Sequence, residues 1–68
     1  MKAVSGKHFC RLLEQRGWFL ARINGSHHIY TKAGTVFRIS VPVHGSRSLK
    51  IGLQQHIMRI AGIGDDEL

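Results

Sequence analysis

Acid is scarce in this chain of 68 residues. Glu14 is the only carboxylate before residue 65, and Asp65, Asp66 and Glu67 hold the other three. Two-metal phosphodiester chemistry needs several carboxylates converging on hard cations, and the sequence does not supply them. A Ser-His-Asp triad fails for want of its third member. Cysteine occurs once, at Cys10, so no internal disulfide can form and a reducing, cytoplasmic setting fits best. That thiol lies in an apolar helical stripe and reads as a small core residue. Zinc is poorly served as well, since no Cys-x-x-Cys or His-x₃-His spacing occurs and His8 and His56 fall on different helices. No apolar run approaches the roughly 18 residues of a membrane span, and Met1-Lys2-Ala3-Val4 does not open a signal peptide. No metal and no cofactor is called for.

Base, by contrast, is abundant. All 10 Lys and Arg precede residue 65, so a strongly cationic body is followed by a short acidic tail, 65–68, read as frayed. Such a body suits a phosphate-rich partner. The length allows one domain, residues 1–68, with a single small core.

The local signals are clear at both ends. Residues 5–16 read as a helix with Ser5 as its N-cap, an apolar stripe through Phe9, Leu12 and Leu13, and Gly17 as its stop. Residues 49–61 read as a second helix closed by Gly62. Between them, residues 18–23 and 26–31 flank Asn24-Gly25, the strongest short hairpin signal. Residues 35–41 alternate as a third strand, and Pro42 should end it. The order is α-β-β-β-α, an α+β fold with two helices on one face of a three-stranded antiparallel sheet, and it resembles the double-stranded-RNA-binding domain.

This inventory suits one hydrolysis. RNA carries its own nucleophile, so a base for the 2′-hydroxyl, a cation for the phosphate and an acid for the leaving oxygen suffice without metal. His27 and His28 are adjacent on a strand and point to opposite faces. A two-residue turn at Asn24-Gly25 would pair Ile23 with Ser26, Arg22 with His27 and Ala21 with His28. Arg22 would then favour the neutral, proton-accepting form of His27 and could also hold a phosphate. That register puts Trp18, Leu20, Arg22, His27, Ile29 and Thr31 on one face. Phe19, Ala21, Ile23, Ser26, His28 and Tyr30 take the other. Which face is the wetter one stays open.

The stretches GKHFCRLLEQRGW (6–18), GSHHIY (25–30), VPVHG (41–45) and LKIGLQQHIMRIAGI (49–63) together resemble the HicA, or YcfA-like, messenger-RNA interferase toxins over nearly the whole chain. The resemblance implies a toxin of a type II toxin–antitoxin system that cleaves messenger RNA without the ribosome and is held by a HicB-like antitoxin. It implies a catalytic histidine in the Gly-Ser-His motif, here Gly25, Ser26 and His27, with His28 the alternative. The Val-Pro-x-His element maps onto Val41, Pro42 and His44, with His44 the candidate second acid. Candidate RNA contacts are Lys7, Arg22, Lys32, Arg38, Arg47 and Lys50, joined by Ser26 and His44 from the motifs. The competing reading is a non-catalytic RNA-binding module. A dedicated duplex binder carries a lysine cluster where its second helix begins, and here Lys50 stands alone.

Overall fold

A computed structural model describes residues 1–68. Helix α1 spans Gly6–Gln15, and strands β1, β2 and β3 span Phe19–Asn24, His27–Thr31 and Arg38–Pro42. Helix α2 spans Ile51–Ala61, and a 3₁₀ turn, Asp65–Glu67, follows it. The sheet is antiparallel in the order β1-β2-β3. This is the expected α+β fold of the double-stranded-RNA-binding type. No helix is long and apolar enough to cross a membrane.

Capping explains where the helices begin and end. The Ser5 hydroxyl accepts from the His8 amide at 3.0 Å, satisfying one of the free donors of the first turn. Gly62 closes α2 in the left-handed region, at φ 71°, where a side chain would be strained. Phe9, Cys10 and Leu13 of α1 meet Tyr30, Ile39 and Val41 of the sheet and Ile57 and Met58 of α2 in one core. Full burial of side chains such as Phe9 and Leu13 stabilises by about 1.5–3 kcal/mol each. Gln54 is the one buried polar residue: its Oε1 accepts from the Val4 amide at 3.0 Å and its Nε2 donates to the Lys2 carbonyl at 2.7 Å.

The hairpin departs from the expected register. Asn24 pairs with His27, Ile23 with His28 and Arg22 with Ile29, so Arg22 is not the cross-strand neighbour of His27. The two-residue loop is Gly25-Ser26 rather than Asn24-Gly25. Only Gly25 has a positive φ, 62°, and Asn24 keeps a negative one. A positive φ at the first central position alone is the pattern of a type II′ turn, with glycine first. The ladder then slips by one residue at a bulge between Leu20 and Arg22, leaving Leu20 opposite Tyr30 and Phe19 opposite Thr31. Phe19 therefore joins the face of His27, while Leu20 moves to the helix side.

Three other boundaries differ. Residues 35–37 stay outside the sheet, because the Thr35 hydroxyl takes the Phe37 amide at 3.1 Å in a local turn that competes with the ladder. Pro42 does end β3, but from within it as the last paired residue, opposite His27 on an edge strand, where its missing N–H leaves no central ladder bond unmade. Helix α2 starts at residue 51 rather than 49, since Leu49 donates to the Val4 carbonyl at 2.8 Å and Ser48 bridges Ser5. The tail is ordered, not frayed: Glu67 forms an ion pair with Arg16, and the Leu68 carbonyl meets His8 Nε2 at 3.0 Å.

Candidate functional site

Both helices lie on one side of the sheet, so the other side is open. Pairing sorts that open face into rows, because directly opposed residues share a face. Asn24, His27 and Pro42 form the first row, Arg22, Ile29 and Ser40 the second, and Phe19, Thr31 and Arg38 the third. The helix side carries the alternate positions, with His28 between Ile23 and Val41 and Tyr30 between Leu20 and Ile39.

The histidine pair is thus divided by the pleat. His27 is exposed on the open face, and its Nδ1 lies 3.2 Å from the Ser40 hydroxyl in the neighbouring row. A hydroxyl can either accept from or donate to a ring nitrogen, so Ser40 can hold the imidazole in place in either tautomer. Nε2 is left without a protein partner. His28 is half-buried on the helix side, in a groove of about 260 Å³ lined in part by Lys7, Cys10, Glu14 and Tyr30.

That groove is a tightly bonded structural corner. The Tyr30 hydroxyl donates to Glu14 Oε2 at 2.7 Å. Burial, then the bond to Glu14, pushes the Tyr30 phenol far above its usual range. Burial likewise raises the Cys10 thiol, which loses some of that shift to a hydrogen bond with Tyr30. Glu14, the acid that a catalytic reading of the body would need, is thereby committed to holding α1 on the sheet.

Electrostatically the open face is one-sided. It holds Arg22 and Arg38, both exposed, and no carboxylate. The single ion pair of the protein, Arg16 with Glu67, leaves both guanidinium groups free. The remaining candidate contacts fall elsewhere. His44, Arg47 and Lys50 line a hollow of about 560 Å³ that Pro42 also borders, which puts it at the His27 end of β3. Ser26 lies in the hairpin turn, half-buried, with its carbonyl accepting from the Val43 amide at 2.8 Å. Lys7 stands on α1 beside the His28 groove. Lys32 lies against Trp18, its Nζ 5.9 Å from the ring centroid, on a ring that packs in the core. Sequence reasoning missed Ser40 and Phe19 as members of this face, because both memberships depend on register.

The family model for HicA toxin of bacterial toxin-antitoxin matches residues 6–63, from the first residue of α1 to just past the end of α2. The chain belongs to the HicA toxin family. No curated protein matches it. As a HicA-family chain it is one half of a toxin–antitoxin pairing, and its Gly-Ser-His stretch now has a place in space. Gly25 and Ser26 make the turn, and the turn delivers His27 to the corner of the open face nearest the basic hollow.

Proposed function

We propose that this protein is the toxin of a type II toxin–antitoxin pair and cleaves messenger RNA by metal-free general-base catalysis at His27. His27 Nε2 takes the proton of a ribose 2′-hydroxyl, and the resulting oxyanion attacks the adjacent phosphorus. The bond to the 5′-oxygen of the next nucleotide breaks, and that oxygen takes a proton from His44 or a water at the same end of the sheet. One product ends in a 2′,3′-cyclic phosphate and the other begins with a 5′-hydroxyl. Arg22 and the cations of the neighbouring hollow, Arg47 and Lys50, offset the charge that develops on the phosphate. A cytoplasmic site of action follows from the substrate. A HicB-like antitoxin would occupy the same cationic face, since a domain this small has few surfaces to spare.

The observation that carries this reading is the setting of His27. It stands exposed on a carboxylate-free cationic face, with one ring nitrogen held by Ser40 at 3.2 Å and the other free. His28, on the helix side, lacks such access and supports the strand. The test is incubation of pure protein with single-stranded RNA in EDTA. Cleavage should persist, the fragments should carry cyclic or 3′-phosphate ends, and an oligomer with 2′-deoxy at the cut site should survive. Activity lost in EDTA and restored by magnesium would replace this mechanism with a metal-dependent one. Intact RNA under all conditions would favour the binding module instead.

A further inference from the structure

Charge attracts RNA to the open face but does not fix where the strand stops along it. Phe19 supplies a fixed point. It lies opposite Thr31, which shares the pleat of His27, and it is 61% exposed. Across β2 in the same row stands Arg38, and Arg22 occupies the row between Phe19 and His27. A flat apolar ring left in water, flanked by guanidinium groups without acid partners, matches a nucleotide in both its parts. The base has a π-face for the ring and the backbone has phosphates for the cations.

We propose that the open face is a track for single-stranded RNA on which Phe19 stacks one base at a fixed distance from His27, so that this ring helps to choose the phosphodiester presented to the base. The proposal rests on the RNA-cleaving function described above. Three features select a single strand over a duplex. Three strands about 4.8 Å apart make a platform only about 10 Å wide, which suits one backbone. The bases of a duplex are already stacked on one another, so an exposed ring would find no free face there. The four steps along β2 from His27 to Thr31 span roughly 14 Å, a length that a short run of extended RNA covers.

The experiment starts from a single-stranded RNA spanning a cut site mapped with the wild-type toxin. 2-Aminopurine replaces each base of it in turn, and binding is measured to the His27→Ala protein, so that cleavage does not interfere. One position should show strong quenching on binding. Adding Phe19→Ala should abolish that quenching and weaken binding roughly tenfold or more, in line with the usual effect of removing a stacking ring. Phe19→Tyr should keep both signals. Phe19→Leu, which keeps apolar bulk without a ring, should behave as the alanine variant does. In the cleavage-competent background, Phe19→Ala should broaden the distribution of cut sites. Unchanged affinity and cut sites in Phe19→Ala, or a leucine variant equal to wild type, would overturn the proposal and leave the ribonuclease reading standing. A Phe19→Ala protein that binds RNA normally but no longer copurifies with its antitoxin would assign the ring to the protein partner and overturn it likewise. A parent protein with no affinity for RNA would remove both readings.

Discussion

Gly6 opens α1 against the backbone of β3, and a methyl group there sets two known effects against each other. A Cβ on Gly6 would lie 2.0 Å from the Pro42 carbonyl oxygen, 3.1 Å from its carbonyl carbon and 3.4 Å from Val41 Cγ1. Intrinsic propensity favours alanine over glycine in a helix by up to about 1 kcal/mol. The contact opposes it, and the opposing atoms are backbone. Pro42 is paired with His27 in the sheet and cannot swing aside as a side chain could. Relief requires α1 to move by more than an ångström, which pulls Phe9 and Leu13 out of register with the core. Overpacking of this kind costs about 1–3 kcal/mol, and the rigidity of the partner puts this case at the upper end. The expected net effect of Gly6→Ala is a loss of about 2 kcal/mol. For a domain of this size, total stability is roughly 3–10 kcal/mol, so the loss is a large share. Urea unfolding followed by the fluorescence of Trp18, the only tryptophan, reads it directly. With a slope near 1 kcal/mol per molar urea, the midpoint should fall by about 2 M. Gly52→Ala is the internal control: Gly52 lies in α2 with nothing within 4 Å of its Cβ position, so propensity acts alone and the midpoint should rise. A Gly6→Ala midpoint equal to or above wild type would refute the close-approach argument.

Three further outcomes follow from the same contacts. His27→Ala should abolish growth arrest in cells and lower cleavage by about 10²–10⁴-fold, while His28→Ala keeps measurable activity; the reverse order in two proteins with native circular dichroism would exchange their roles. Gln54→Leu strips partners from the Val4 amide and the Lys2 carbonyl, so stability measured by thermal or urea unfolding should fall by about 2 kcal/mol. The Cys10 thiol and the Tyr30 phenol are both raised above their ordinary values of 9.0 and 10.0, so each favours folding while protonated in both states. That contribution is complete below pH 9 and is lost as pH climbs through the unfolded-state values toward the folded ones. Unfolding midpoints should therefore be level up to about pH 9 and decline above it, and Tyr30→Phe should remove the part of the decline that sets in near 10.

The parts of this fold that the sequence foretold are those written in neighbouring residues. Ser5 caps α1, Gly17 and Gly62 stop the helices, and their positions are decided within a turn. Register is different. Asn24-Gly25 is a strong local hairpin signal, yet Gly25-Ser26 makes the turn, and the bulge at Ala21 puts Leu20 rather than Phe19 on the helix side. Neither choice can be made without the helices in place. The apolar alternation of residues 35–41 misled for a related reason: Val36 and Phe37 are 93% and 59% exposed, outside the sheet, because a hydroxyl two residues back claims the Phe37 amide. The candidate site inherited this division. His27 was legible from its motif, whereas the partnership with Ser40 depends on the pairing of β2 with β3, and the expected partnership with Arg22 dissolved when the ladder shifted.

The hydrogen bonds of Gln54, the bond from Leu49 to Val4 and the bridge between Ser48 and Ser5 join residues 2–5 to residues 48–54. On a growing polypeptide this stitching has to wait. The three strands can meet as soon as residue 42 is free, but the segment leading into α1 finds no partner until α2 has been made and released. Chains fold as they are synthesised, N-terminal parts first, and loop closure over so long a span comes late. A chain built this way leaves the segment before α1 undocked until the residues that lead into and form α2 have emerged.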